Sequence, residues 1–395
     1  MGFLGLFGIQ GMLMGGYFAL WQNELISQGY GFTDIAGIVT VQTLVGIVLN
    51  VPTGILADRI GHRRTTQIGY FLYALAFLLP AFASSARLIS YAVILVGVGG
   101  AVLDGALESW ATAAKEKYDQ GVKSKRFMER DQAQRVGMIA GALMIPGAVG
   151  LFGHRFGFPW TVFFGLALAL VVASVSMKDG IVEEKKCETM APWLLSRENW
   201  RMFLASRRQQ LLFLGIFVFG MADGVVSTVF WPTVRSYGIA SVAAFGLIQT
   251  SQSLSRLVGL HFWKKAHWND HDSLPGGVLI GSGLLFVAFS FATGAGAGLT
   301  LWLLRIAVLS AYFSALQAMM VRDPSIRAAR ATILSLSTVV SSLGTVFATS
   351  LISVVGNGVS LGRVAAGGGV LTIVAGIAML RAATVGRVAV PEALS

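Results

Sequence analysis

A succession of apolar runs, each about as long as a bilayer is thick, constrains this chain more than any other feature. A helix needs about 20 apolar residues to cross a hydrocarbon core of roughly 30 Å. Runs of that kind cover 3–27, 35–57, 66–85, 89–111, 131–153 and 158–177, and after a polar gap 209–234, 240–262, 275–294, 298–320, 331–354 and 362–381. Only helices and closed barrels satisfy their backbone polar groups in lipid. No run alternates with a period of two, which excludes a barrel. The predicted fold is therefore all-α, with twelve transmembrane helices. Only 12% of the residues are charged and 55% are hydrophobic. That balance leaves a water-facing surface short of polar cover, a difficulty that lipid removes. The first run, Gly2 to Asn23, has no Lys or Arg before it and is longer than the apolar part of a cleaved leader, so it reads as the first membrane helix.

The basic residues fix an expected orientation. With a cytoplasmic N-terminus, the inner loops hold the great majority of them, among them Arg59, Arg63, Arg64, Lys115 to Arg130, Lys178 to Arg208, Lys264, Lys265, Arg322 to Arg330, Arg381 and Arg387. The outer loops keep Arg87, Arg155, Arg235 and Arg363. Both termini are thus expected in the cytoplasm of a multi-pass protein of the inner or plasma membrane. The net charge of +11 is spread over short loops and forms no basic stripe, so no nucleic-acid partner is implied. Cys187, the single cysteine, has no partner for an internal disulfide and reads as an inert thiol.

The chain repeats itself weakly. Tyr30–Gly31 followed by Val41–Gln42–Thr43 recurs 207 positions later as Tyr237–Gly238 followed by Ile248–Gln249–Thr250. With six runs on each side of one long polar segment, this points to a duplicated six-helix unit. The expected domains are 1–177, a first six-helix bundle; 178–208, a charged cytoplasmic linker; and 209–395, a second bundle. The linker contains Pro192, Trp193 and Trp200, so part of it can lie on the membrane surface.

Between the second and third runs stands Gly54-Ile55-Leu56-Ala57-Asp58-Arg59-Ile60-Gly61-His62-Arg63-Arg64. Gly54 permits close helix approach. Asp58 lies one turn later and can accept hydrogen bonds at a helix N-terminus. Arg59 can pair with a carboxylate, Gly61 allows a left-handed turn, and Arg63 and Arg64 hold the loop in water. This segment resembles the signature loop, motif A, of the major facilitator superfamily, matching at Gly54, Asp58, Arg59, Gly61, Arg63 and Arg64. The second-half counterpart, Gly259 to Lys265, keeps basic charge and lacks the acid. Asp104 to Trp110, and Arg330 to Leu336, also look like segments of bacterial members without an assigned substrate. The resemblance implies two pseudo-symmetric six-helix bundles around a central cavity and transport by alternating access. It carries no substrate. One departure is the fourth helix, which has Asp104 where drug–proton antiporters usually have an arginine. Another is the fifth, where Gly141 to Gly150 keeps a proline and several glycines but has Ile145 before Pro146.

Ionisable groups inside a membrane are costly and rare, so each is a functional candidate. Asp223, in the seventh run, suits proton or cation binding, or alternatively a structural polar contact. Asp104 and Glu108 share a face of the fourth helix. Glu108 with Arg135 suggests an inner-gate ion pair, and Asp104 is a second coupling candidate. Glu24 lies near the outer end of the first helix. Arg305 can bind an anionic group or neutralise Glu24 or Asp223, and Arg256 can snorkel. Gln42 and Gln249 are either substrate contacts or glue between helices. Tyr17, Trp21, Phe230, Trp231, Tyr312 and Phe313 either line a cavity or pack. There is no P-loop for an ATP-driven pump. His261, His267 and His271 read as a solvated face, not a metal site, and no nucleophile–base arrangement is legible.

The expected function is secondary active transport of a small organic solute, with no cofactor and the proton as coupling ion. Export by antiport is the first expectation and uptake by symport the second. A transporter-like receptor or membrane enzyme is a third class. The expected partners are the solute and the bilayer, with the chain monomeric.

Overall fold

In a computed structural model, the protein is described over residues 3–82, 85–103, 106–107, 123–152, 159–176, 206–265, 272–322 and 330–385. The described residues are helical, with short turns and no strand. The helices are α1 (Phe3–Ser27), α2 (Phe32–Ile60), α3 (His62–Phe82), α4 (Ala86–Leu103), α5 (Lys123–Phe152), α6 (Trp160–Ser176), α7 (Arg207–Ser236), α8 (Val242–Lys265), α9 (Leu274–Ser290), α10 in two stretches (Ala295–Leu309 and Tyr312–Arg322), α11 (Arg330–Val355) and α12 (Leu361–Thr384). They match the twelve apolar runs in order and place. Among the described residues seven helices are long and apolar enough to cross a membrane, and three shorter apolar ones accompany them.

Large apolar side chains point outward along many of them. Val48 is 62% exposed, Leu284 58% and Val354 81%. A soluble chain spreads such residues thinly. Here they form an outward apolar surface of the kind that lipid covers, while aliphatic side chains and rings fill the interior.

The chain forms two compact units, residues 1–187 with 238–254, and residues 188–237 with 255–395. In the first unit α1 lies along α5, and α3 packs on α4 and α6. In the second unit α7 lies along α11 and α12, and α9 packs on α10 and α12. The pairs α1–α5 and α7–α11, and α3–α6 and α9–α12, occupy equivalent positions in the two halves, as the duplicated pattern implies.

Bare backbone makes the long helix pairs possible. A Cβ at Gly141 would overlap the carbonyl of Met12, and one at Gly220 would overlap the carbonyl of Ser341. Without hydrophobic drive in lipid, such van der Waals contact is what associates helices. A buried aromatic cluster on α1, α3 and α6 completes the first core: Tyr17, Phe77, Trp160 and Phe163.

Two elements depart from the sequence pattern. Helix α5 starts at Lys123, well before the apolar run at 131. Helix α10 is interrupted at Ser310–Ala311. There Ser310 Oγ donates to the carbonyl of Ala307 at 2.7 Å, and Gly259 of α8 packs against the same carbonyl. Serine back-bonding of this kind competes with the helical ladder and bends helices.

Candidate functional site

The motif loop is a tight corner. Helix α2 ends at Ile60, Gly61 adopts φ 94°, and α3 begins at His62. The Gly61 amide donates to the carbonyl of Ala57 at 3.0 Å. A side chain at such φ is disfavoured, so glycine is the residue for this corner. Arg63 reaches the end of α6. Its Nε donates to the carbonyl of Ser174 at 3.3 Å and its Nη2 to that of Val175 at 2.6 Å. Gln67 Nε2 joins at 3.4 Å from the Ser174 carbonyl. These are last-turn carbonyls of α6, where a cation is favoured by both hydrogen bonding and the helix dipole. Arg63 therefore staples the loop to α6, beyond the solvated anchor expected of it. Arg63→Ala should cost about 1–2 kcal/mol of stability, read as a lower unfolding temperature in detergent, with Arg63→Lys recovering part of it.

Arg64 is exposed. Gly54, Asp58 and Arg59 lie in α2, but their side-chain surroundings are outside the described residues, as are Asp104, Glu108 and the linker up to 205. Arg135, the expected partner of Glu108, is half-buried on α5, and its Nη1 approaches Met138 Sδ at 3.5 Å. Glu24 accepts from Gln28 Nε2 at 3.4 Å. Gln42 packs against Gly97 of α4. Tyr17 and Trp21 lie stacked in the core of the first unit, 1% and 5% exposed. Gln249 is buried, and its carbonyl accepts from Ser253 Oγ at 3.2 Å.

The second unit gathers the remaining candidates. Asp223 is exposed on α7. It lies within electrostatic reach of Arg305 and Arg256, and Tyr312 feels its charge in turn. Arg305 is 2% exposed and sits over the rings of Phe286 and Trp302, 4.8 and 4.9 Å from their centroids. Such cation–π contacts strengthen when desolvated. Phe230 stacks on Trp302 at 4.1 Å and meets Trp231 edge-on at 4.8 Å. Tyr312 packs against Phe219 at 4.4 Å, and Phe313 is 59% exposed beside them. Among the described residues no group of three His, Cys, Asp or Glu is placed to hold a metal ion.

Two features escaped the sequence reading. Trp302 lies one helical turn from Arg305, a spacing that was legible. Arg208, read as a loop charge, is buried and pairs with Asp272 at 2.9 Å, tying the start of α7 to the turn before α9. Nothing local in the sequence signals that contact across 64 positions.

Comparison with known proteins places this architecture. The chain aligns with the uncharacterized MFS-type transporter YxaM of Bacillus subtilis (strain 168) at 24% identity over 277 residues, 67% of each chain. Its fold resembles the nucleoside transporter NupG, with TM-score 0.73, 13% identity, and 97% and 98% of the two chains covered. It also resembles a POT peptide transporter solved with alafosfalin, with TM-score 0.71, 14% identity, and 96% and 93% covered. The E. coli fucose:proton symporter FucP gives TM-score 0.61 and 16% identity, with 96% and 98% covered. Residues 3–260 match the sequence pattern of the Major Facilitator Superfamily, well over half of the chain. This protein is thus a multi-pass membrane transporter, not an enzyme, and belongs to the Major Facilitator Superfamily.

Proposed function

We propose that the protein is a proton-coupled symporter of a small organic solute, with Asp223 as the group that carries the coupling proton. The observation that supports this is the setting of Asp223: an exposed carboxylate on α7, in the field of Arg305 and Arg256, with Tyr312 close by. The first helix of each bundle borders the substrate path in the family. A carboxylate there binds or releases a proton according to which side wets it, and that dependence links proton movement to alternating access.

Export by antiport, the first expectation from sequence, has one partial match behind it, the proline and several glycines that Gly141 to Gly150 of α5 keep. Gly141 and Pro146 of that run have a packing role within the first unit. Gly141 meets Met12 of α1, and Gly246 of α8 meets Ala142 and Pro146. Such packing carries no transport direction, and the fucose:proton symporter FucP, which shares the fold, supports symport.

Proteoliposomes test the proposal. With an acidic exterior, labelled solute should accumulate above its external concentration, and a protonophore should abolish the accumulation. Equal accumulation with the protonophore present would contradict it.

We also propose that both termini and the 178–208 linker face the cytoplasm. Cys187, the single thiol, reports this directly. An impermeant maleimide should label it in inside-out vesicles and spare it in intact cells. Labelling in intact cells would reverse the orientation.

A further inference from the structure

Three buried polar groups of α10 lack hydrogen-bond partners among the described residues, and two of them, Trp302 and Arg305, lie against each other one helical turn apart. Trp302 is 3% exposed, Arg305 2% and Tyr312 0%. Trp302 Nε1, Arg305 Nε and the Tyr312 hydroxyl have no hydrogen-bond partner among the described residues. Buried polar groups are nearly always satisfied. Tryptophan and arginine donate only, and arginine cannot shed its proton. Trp302 and Arg305 together therefore ask for a hydrogen-bond acceptor with negative charge.

The rings do not supply one. The centroids of Phe286 and Trp302 are 5.8 Å apart, and each is about 5 Å from Arg305 Cζ. Both rings thus lie to one side of the guanidinium and do not sandwich it. Nor does Asp223 supply one. It feels Arg305 through space, but among the described residues Arg305 has no carboxylate in ion-pair contact.

We infer that the transported solute is a small organic monoanion, its carboxylate taken by Arg305 with Trp302 Nε1 as a further donor. The inference rests on the proton-coupled symport proposed above and names its substrate class. The planar N–H fork of arginine matches a carboxylate in a bidentate pair, which lysine cannot imitate. Asp223 then decides when the anion binds. Ionised, it repels the incoming carboxylate and partly compensates Arg305 and Arg256. Protonated, it removes the repulsion and leaves Arg305 to be compensated by the solute. Proton and anion therefore bind together, one of each, and their joint movement transfers no net charge.

The test uses the full-length protein in detergent and follows thermal unfolding. The probes are acetate, benzoate and phenylacetate, each beside its amide, with benzylamine as a cation and phenyl phosphate as the other anion class. Carboxylates should protect the wild type where amides and the amine do not. Arg305→Gln should weaken that binding by about 30-fold or more. Arg305→Lys should recover it in part. Asp223→Asn, a mimic of the protonated acid, should retain or tighten it. Stronger protection by phenyl phosphate than by every carboxylate would overturn the carboxylate assignment. Protection by amides or the amine equal to that by carboxylates, or by no carboxylate at all, would overturn the inference, and neither result needs a variant that folds. Solute-driven proton movement with only neutral or cationic solutes would leave symport standing and sink the anion. Carboxylate protection without proton movement would do the reverse.

Discussion

Asp223→Asn should abolish proton-driven accumulation in proteoliposomes, reducing it to passive leak, while exchange of labelled for unlabelled solute across the same membrane persists. Exchange requires only that the loaded carrier cycles between its two faces. Accumulation requires that the proton be bound on one side and lost on the other. Asparagine keeps the shape and much of the hydrogen bonding of protonated aspartate but cannot lose a proton. The variant is held in the state that accepts solute, so its binding survives and its gradient dependence does not. A structural role for Asp223 gives a different outcome: loss of both activities together with a lower unfolding temperature. Asp104 is the competing acid, and it lies outside the described residues. Asp104→Asn in the same pair of assays decides between them, since only the coupling residue separates exchange from accumulation.

Gly141→Leu should have the largest effect on stability. The α1–α5 contact has backbone against backbone: Gly141 meets the Met12 carbonyl, Gly137 meets the Gly8 carbonyl, and Gly15 meets that of Met138. A side chain at Gly141 forces the two helices apart along their length and removes the dispersion contacts between them. Overpacking alone costs about 1–3 kcal/mol, and the lost helix contact adds to it. The expected result is a drop of several degrees in unfolding temperature or loss of folded protein from the membrane. Gly165→Leu is the matched control, because nothing lies within 4 Å of a Cβ there. Equal stability of the two leucine variants would show that close approach of α1 and α5 contributes little.

Much of the fold was legible because lipid imposes it. A span must be about 20 residues, apolar and helical, so a count of runs becomes a count of helices. The interruption of α10 was not legible. It depends on Gly259 of α8 packing beside Ser310, a contact between residues about 50 positions apart. The candidate site was half legible for the same reason. Asp223 and Arg305 stand out as charges inside apolar runs. Their mutual field, and the rings of Phe286 and Trp302 around the guanidinium, depend on how α7, α9 and α10 pack. Aromatic residues gave an undecided signal. Sequence leaves Tyr17 and Trp21 open between cavity lining and packing, and they lie in the core of the first unit, whereas Phe230 stacks beside Arg305's own partner, Trp302. Sequence gives the chemistry of a ring and not the face it presents.

Symport means that solute and proton move together in the same direction. Its most direct measurement imposes a solute gradient and no proton gradient. Proteoliposomes carrying the wild-type protein and a pH-sensitive dye in the lumen are given solute outside at equal pH. Symport predicts that the lumen acidifies as solute enters, at a rate that saturates with solute and vanishes in Asp223→Asn. Alkalinisation of the lumen would mean antiport, and solute entry without any change in luminal pH would mean transport uncoupled from protons; either result contradicts the account.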